Sequence, residues 1–470
     1  MNEAQGSTGA SSNGAGQASQ DASAFEAATF RKIARRLVPL LFLGYFVAFL
    51  DRVNIGFAKL QMAGDLSLSD EVYGFGAGVF FIGYFLFEVP SNLLLARVGA
   101  RRWIARIMIS WGVLSSCFLF TGSVHWGPVA AAFGCTDAQF TFYILRFLLG
   151  VAEAGFYPGI VLYLTFWFPA ARRAQVNALF MTAIAISNVF GSLISGAILQ
   201  YMDGAAALRG WQWLFLLEGI PSVLVGFLLL AVLPDGPAKA KWLSPKERTL
   251  IAERLHADEQ GKSAHGQRHK VSEMFLDPRI WICALSFFPI NAGFYAINFW
   301  MPTIIQEVGI DKDDYLSVGL LAMIPYGVAA VSMVLWARHS DRTGERRWHS
   351  IIPLFAASIG FVVLATVGHQ PVLSMIGITL VAAGALTWLA MFWMLPTAFL
   401  SGMAAAGGIA MINSLGNLGG YFGPDLIGRI RDANGGDSSA AFIALAVAAL
   451  VSAALTFAIA TIRPKPSAVH

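Results

Sequence analysis

Apolar runs long enough to cross a bilayer recur along this chain from residue 37 to residue 462, and this pattern limits its fold more than any other feature. A helix rises about 1.5 Å per residue, so about 20 residues span the hydrocarbon core. Twelve segments are predicted: 37–57, 72–95, 103–122, 140–164, 176–200, 211–233, 279–306, 315–337, 349–367, 371–400, 404–428 and 439–462. Only 13% of residues are charged, against roughly 25% in soluble domains, so a soluble core is excluded. The expected fold is all-α and integral to the membrane, with twelve helices in two six-helix halves.

The division expected from composition is a disordered cytoplasmic tail at 1–36, a first bundle at 37–233, a cytoplasmic linker at 234–278, a second bundle at 279–462 and a short tail at 463–470. The first residues are Ala, Ser, Gly, Gln and Asn, too polar to bury anything, and they lack the pattern of a cleavable signal peptide. In the linker, Ser244 and Pro245 followed by Glu247 signal a helix start, read as a surface helix.

Orientation follows from the basic residues. With the N-terminus in the cytoplasm, 25 of the 32 Lys and Arg residues fall on the cytoplasmic side and five on the other, with Arg52 and Arg146 inside helices. Such a bias sets topology and puts both termini in the cytoplasm. The net charge of +4 is spread over short loops, which argues against a nucleic-acid partner. Cys117, Cys135 and Cys283 lack metal-ligand spacing, and the eight histidines fall in loops, tails or helix edges. No phosphate-binding GxxxxGK[ST] loop occurs. No metal, no cofactor and no enzymatic activity are expected, and the protein is read as a monomer.

The two halves repeat. Arg97, Gly99, Arg101 and Arg102 follow the second segment; Asp341, Arg342, Gly344, Arg346 and Arg347 follow the eighth. A repeat at equivalent positions is a mark of secondary transporters, whose substrate lies between the halves near the midplane. Arg97, Gly99, Arg101, Asp341, Arg342, Gly344 and Arg346 are the expected gating elements.

An ionisable residue within a span is costly and marks function by default. Asp51, Arg52, Glu88, Arg146, Glu153 and Glu218 stand out, all in the first half. Asp51 and Arg52 diverge by about 100° on a helix and serve different directions. Arg146 and Glu153 are two turns apart and share a face, which suggests an arginine that restrains a carboxylate until an anion competes for it. Glu88 and Glu218, each before a proline, are open between gating, kink-capping and proton transfer. The second half offers neutral groups: Asn291, Tyr295, Asn298, Trp388, Trp393, Asn413 and Asn417.

The stretches around Asp51, Arg52 and Asn54, around Tyr84, Glu88 and Pro90, from Arg146 through Glu153 to Gly159, and from Asn413 through Asn417 to Gly420 together resemble the major facilitator superfamily. Within it they resemble the anion:cation symporter family, along nearly the whole chain after the tail. The resemblance implies proton-coupled import of small organic anions such as sugar acids, tartrate or aromatic acids. In similar galactonate transporters the carboxylates matching Asp51 and Glu153 carry protons, and the arginines matching Arg52 and Arg146 bind and couple. Tyr84, Tyr295, Trp388, Asn413 and Asn417 complete the expected substrate site. Similar vesicular glutamate and sialic-acid transporters differ at the position of Asp51. The loop before Arg97 departs from the superfamily pattern, with Ala96 where an acid is usual. An exchanger or exporter of the same fold is the alternative, and a membrane sensor or enzyme the remaining one.

Overall fold

The computed structural model describes residues 9–264, 277–397 and 402–461, and within them every regular element is a helix. The first half comprises α1 (Gly9–Asp65), α2 (Asp70–Val98), α3 (Ala100–Ser116), α4 (Asp137–Glu153, continued by Phe156–Thr165), α5 (Ala170–Tyr201) and α6 (Gly210–Val232). A linker helix (Pro245–Ala264) precedes the second half. That half holds α7 (Pro278–Glu307), α8 (Tyr315–Thr343), α9 (Arg347–Val367), α10 (Pro371–Phe392), α11 (Gly402–Asn417, continued by Gly419–Ala433) and α12 (Ser439–Thr461). Eleven of these are long and apolar enough, among the described residues, to cross a membrane. The other, α11, is interrupted near Leu418 and carries Asp425, Arg429, Arg431 and Asp432 in its second part.

Side chains sort as a lipid solvent demands. Leu86, Val89 and Leu93 of α2, Leu224 and Phe227 of α6, Val331 and Leu335 of α8, and Val447 of α12 are exposed on the outside of the bundle. Helix starts follow local chemistry: Ser69 accepts from the Val72 amide, and Thr136 and Gln139 form a capping box on α4.

The tail expected at 1–36 needs correction. The first helix begins at Gly9 and runs without a break into the span. Phe30 and Ile33 are buried, and the Phe30 ring lies 6.1 Å from that of Phe168. Lys32 pairs with Glu247 of the linker helix at 2.9 Å, and Glu26 with Arg254 at 2.6 Å. A helix nucleated within the span extends outward cheaply, and these anchors hold it. Residues 1–8, part of the linker at 265–276 and the tail after Thr461 lie outside the described residues. Ser244 does start the linker helix, capped reciprocally with Glu247.

With an even number of spans, both termini and the linker share one end of the bundle, here the terminal end; the opposite one is the far end. The halves meet where α1 packs on α7, α2 on α11 and α5 on α8. The far end is closed tightly. A Cβ on Gly74 of α2 would sit 2.6 Å from the Pro424 carbonyl of α11, so only glycine allows this approach. Above it, Asp70 of α2 accepts from Lys59 of α1 at 2.8 Å and from Arg431 of α11 at 2.7 Å, and Arg431 also holds Glu307 of α7 at 2.5 Å. Lys59 and Arg431 are both buried beside Trp300, 4.1 and 5.2 Å from its ring. The two cations, expected in loops, lie on helix turns beyond the apolar runs.

Candidate functional site

Between the halves lies a narrow cavity of about 60 Å³, room for a few waters. Arg52, Tyr84, Tyr295, Asn413 and Asn417 line it, all five among the residues expected there, together with Asn291 and Trp393. Aromatic rings make up most of the remaining wall: Tyr45, Phe49, Phe156, Tyr157, Phe287 and Phe294. Sequence reasoning passed over most of these, because an aromatic at helical spacing reads equally well as packing.

Arg52 is the cation at the wall. Its guanidinium forms an ion pair with Glu153 and donates to the Tyr295 hydroxyl at 3.2 Å, so one side chain links α1, α4 and α7. The rings of Phe49 and Tyr84 flank it at 4.8 and 5.7 Å. Its Nε is buried without a hydrogen-bond partner among the described residues. Glu153 itself is buried behind the wall, at the point where α4 breaks. The break is made by Gly155, whose φ of 83° lies in the left-handed region open to glycine.

Arg146 is placed differently from the sequence expectation. It shares α4 with Glu153 but donates to the carbonyls of Gly76 at 3.3 Å and Ala77 at 2.7 Å on α2. Glu153 therefore takes its ion-pair partner from α1, not from its own helix. Helix spacing gives a common face; which neighbour fills the space above that face depends on packing.

Asp51 points away from the cavity. Asn54 donates to it at 2.9 Å and Ser115 of α3 forms a short hydrogen bond to it. Glu218 accepts from Ser195 at 2.8 Å, deep between α5 and α6. Trp388 does not reach the cavity: its indole donates to Thr456 at 3.3 Å and its ring stacks on Phe392 at 4.5 Å. Trp393 faces the cavity in its place. Asn298, weighed as a binding amide, donates to Asn188 of α5 at 3.0 Å and to Tyr326 at 2.9 Å, joining the halves. The inventory of intramembrane charge on the first half alone also misses Asp425 of α11, buried and within the expected 404–428 span.

The repeated loops lie at the terminal end, away from the cavity. Arg101 donates to the Leu230 carbonyl of α6 at 2.5 Å, Gly99 abuts Asp235, and Gly344 ends α8 with its amide on Ser340 at 2.9 Å. Arg97, Asp341, Arg342 and Arg346 are exposed and form no ion pair among the described residues. Glu345, between them, caps α9 through the Trp348 amide at 2.7 Å. Burial pushes its carboxyl up, but the amides of Trp348 and His349 and the His349 ring outweigh this and hold it below its usual range. Among the described residues no cluster of His, Cys, Asp and Glu could hold a metal ion.

Comparison with known proteins bears on family and fold. The profile of the Major Facilitator Superfamily matches residues 41–424. Two proteins of Agrobacterium vitis, each named "Putative tartrate transporter", are 48% identical over 94% of this chain and 93% and 96% of their own lengths. The inner membrane transport protein RhmT of Escherichia coli is 34% identical over 92% of this chain and 95% of its own. A partially occluded, inward-open structure of the E. coli xylose transporter XylE superposes with a TM-score of 0.70, covering 91% of this chain and 99% of that one. At 17% identity that likeness is one of fold.

Proposed function

The chain belongs to the major facilitator superfamily of membrane transporters, and we propose that it carries a small organic carboxylate across the bacterial inner membrane together with protons, by alternating access. The termini are taken as cytoplasmic, on the basic-residue bias.

The observation that carries this reading is the position of Arg52. It stands at the cavity wall with an unpartnered Nε, and its guanidinium is paired behind the wall with Glu153. An incoming carboxylate competes for the same planar donors. Once Arg52 turns to the substrate, Glu153 is a buried carboxylate without its cation, and a proton neutralises it. Anion and proton then occupy the protein together, which is the condition for symport. Asp51, held by Asn54 and Ser115, is the second proton carrier in this reading. Arg146 braces α2 against α4 instead of touching the cargo.

For the cargo itself, the names of the A. vitis relatives favour tartrate. The aromatic wall favours a second reading, an aromatic acid whose ring packs among Tyr45, Phe49, Phe287 and Trp393 while its carboxylate meets Arg52. Uptake of labelled tartrate and of labelled benzoate into proteoliposomes separates the two. Accumulation of one acid should follow an imposed proton gradient and collapse with a protonophore. Uptake of neither, or uptake indifferent to the gradient, would count against the proposal.

A further inference from the structure

Glu88 stands one turn beyond Tyr84 on α2, toward the terminal end, and its side chain is wholly buried. Its carboxylate accepts from the Asn413 amide at 2.8 Å and forms a short hydrogen bond with the Ser414 hydroxyl. Both partners belong to α11, in the other half, and neither is a cation. Asn413 lines the cavity. We propose that Glu88 is a positioning residue of the transport cycle: its carboxylate fixes the Asn413 amide at the cavity wall and ties the two halves together on the terminal side.

Two physical facts carry this. The Glu88 oxygen that faces Asn413 accepts, so Asn413 turns its N–H group to Glu88, which fixes the sense of the amide. An amide nitrogen has two hydrogens; the second is then held in place for a ligand, beside Arg52 and Asn417. The tie follows from where the helices touch. α2 packs chiefly on the far part of α11, Gly419–Ala433, and much less on Gly402–Asn417. Separation of the halves at the terminal end therefore strips Glu88 of both donors at once, and a buried carboxylate without donors is costly. The contact resists opening until water, a proton or the substrate replaces it.

The positioning role rests on the reading of the cavity as the anion site; the tie between halves does not. The test uses the full chain with Cys117, Cys135 and Cys283 replaced by alanine and a reporter, Leu389→Cys, in the cavity wall. Membrane vesicles of both orientations receive an impermeant maleimide, so that each face is probed in turn. Glu88→Ala should speed labelling from the terminal side by about tenfold, the weight of hydrogen bonds to a charged group. Ser414→Ala, a mild change outside the cavity wall, should speed it in the same direction and answers the question if Glu88→Ala folds poorly. Labelling at the parent rate in both variants overturns the tie. Binding of tartrate and benzoate to purified Glu88→Gln reads the positioning role: about tenfold weaker binding is expected, and parent affinity overturns it. If neither acid binds the parent protein, the substrate reading fails while the labelling result still judges the tie.

Discussion

Arg52 and Glu153 form an ion pair between α1 and α4, with the partly buried arginine at the cavity wall and the buried carboxylate behind it. Arg52→Lys keeps the charge but loses the planar fork that reaches Glu153, Tyr295 and a ligand together. Binding of tartrate or benzoate, whichever the parent takes, should weaken by at least about tenfold, given the roughly 1.5–3 kcal/mol of a charge-assisted bond. Near-parent affinity in a titration of purified protein would remove Arg52 from the site.

The same pair makes Glu153 a proton-linked group. Substrate and proton then favour each other reciprocally. In Glu153→Gln the affinity for a permanently ionised acid should vary much less between about pH 5 and pH 8, a range that brackets buried carboxyls. Asp51→Asn, added to it, should flatten any remaining slope. A slope unchanged in the single and double variants would move coupling to another carboxylate.

Arg146, by contrast, holds backbone carbonyls of α2. Arg146→Lys should lower the thermal midpoint of the purified protein, since bonds of this kind contribute roughly 1.5–3 kcal/mol each. Binding per folded molecule should stay within about threefold of the parent, under 1 kcal/mol. A large loss of affinity at unchanged stability would return Arg146 to the cargo.

At the far end, Asp70 is shared by Lys59 and Arg431. Asp70→Asn leaves the buried Lys59 without its anion while Arg431 keeps Glu307, and breaking a buried pair costs roughly 3–5 kcal/mol. Spin labels placed on the far ends of α2 and α11 should report a longer distance in the variant. An unchanged distance distribution would show that helix packing closes this end without the ion pairs.

The helical extension before the first span depends on Glu247. Burial pushes its carboxyl up, but the Ser244 amide and the Lys32 ammonium outweigh this and hold it below its usual 4.5. A depressed carboxyl contributes stability that is present above its unfolded value and lost as pH falls through its folded one. The extension should therefore stay docked at neutral pH and loosen below about pH 4.5. Hydrogen exchange over residues 20–36, corrected for intrinsic rates, measures this. Glu247→Gln should show at pH 7 the exposure that the parent shows in acid, and equal protection in both would refute the link.

Much of this fold is legible because the bilayer sets a length that apolar runs must meet, and those runs can be counted. Charges inside the runs led to Asp51, Arg52 and Glu153 for the same reason: such residues are too costly to be idle. Pairing was not legible. Periodicity places Arg146 and Glu153 on one face, but the carbonyls of Gly76 and Ala77 and the guanidinium of Arg52 come from other helices. Trp388 and Trp393 are separated by about 140° on an ideal helix, and nothing along the chain says which of them faces the cavity. Lys59 and Arg431 read as loop residues because helices outrun the apolar segments that reveal them.

In a carrier that cycles between two open states, the interruption of α11 near Leu418 would bear on the cell's energy supply. The Gly416 carbonyl accepts from the Asn291 amide of α7 at 3.0 Å, a tie between the two helices just before Leu418. A stiff rod at this place would act as a see-saw, each degree of closure at one mouth opening the other. A joint there would let both mouths be shut in the same instant. A carrier passing through such a state would keep any continuous water file from joining the two compartments, and the membrane potential would not be short-circuited as cargo crosses.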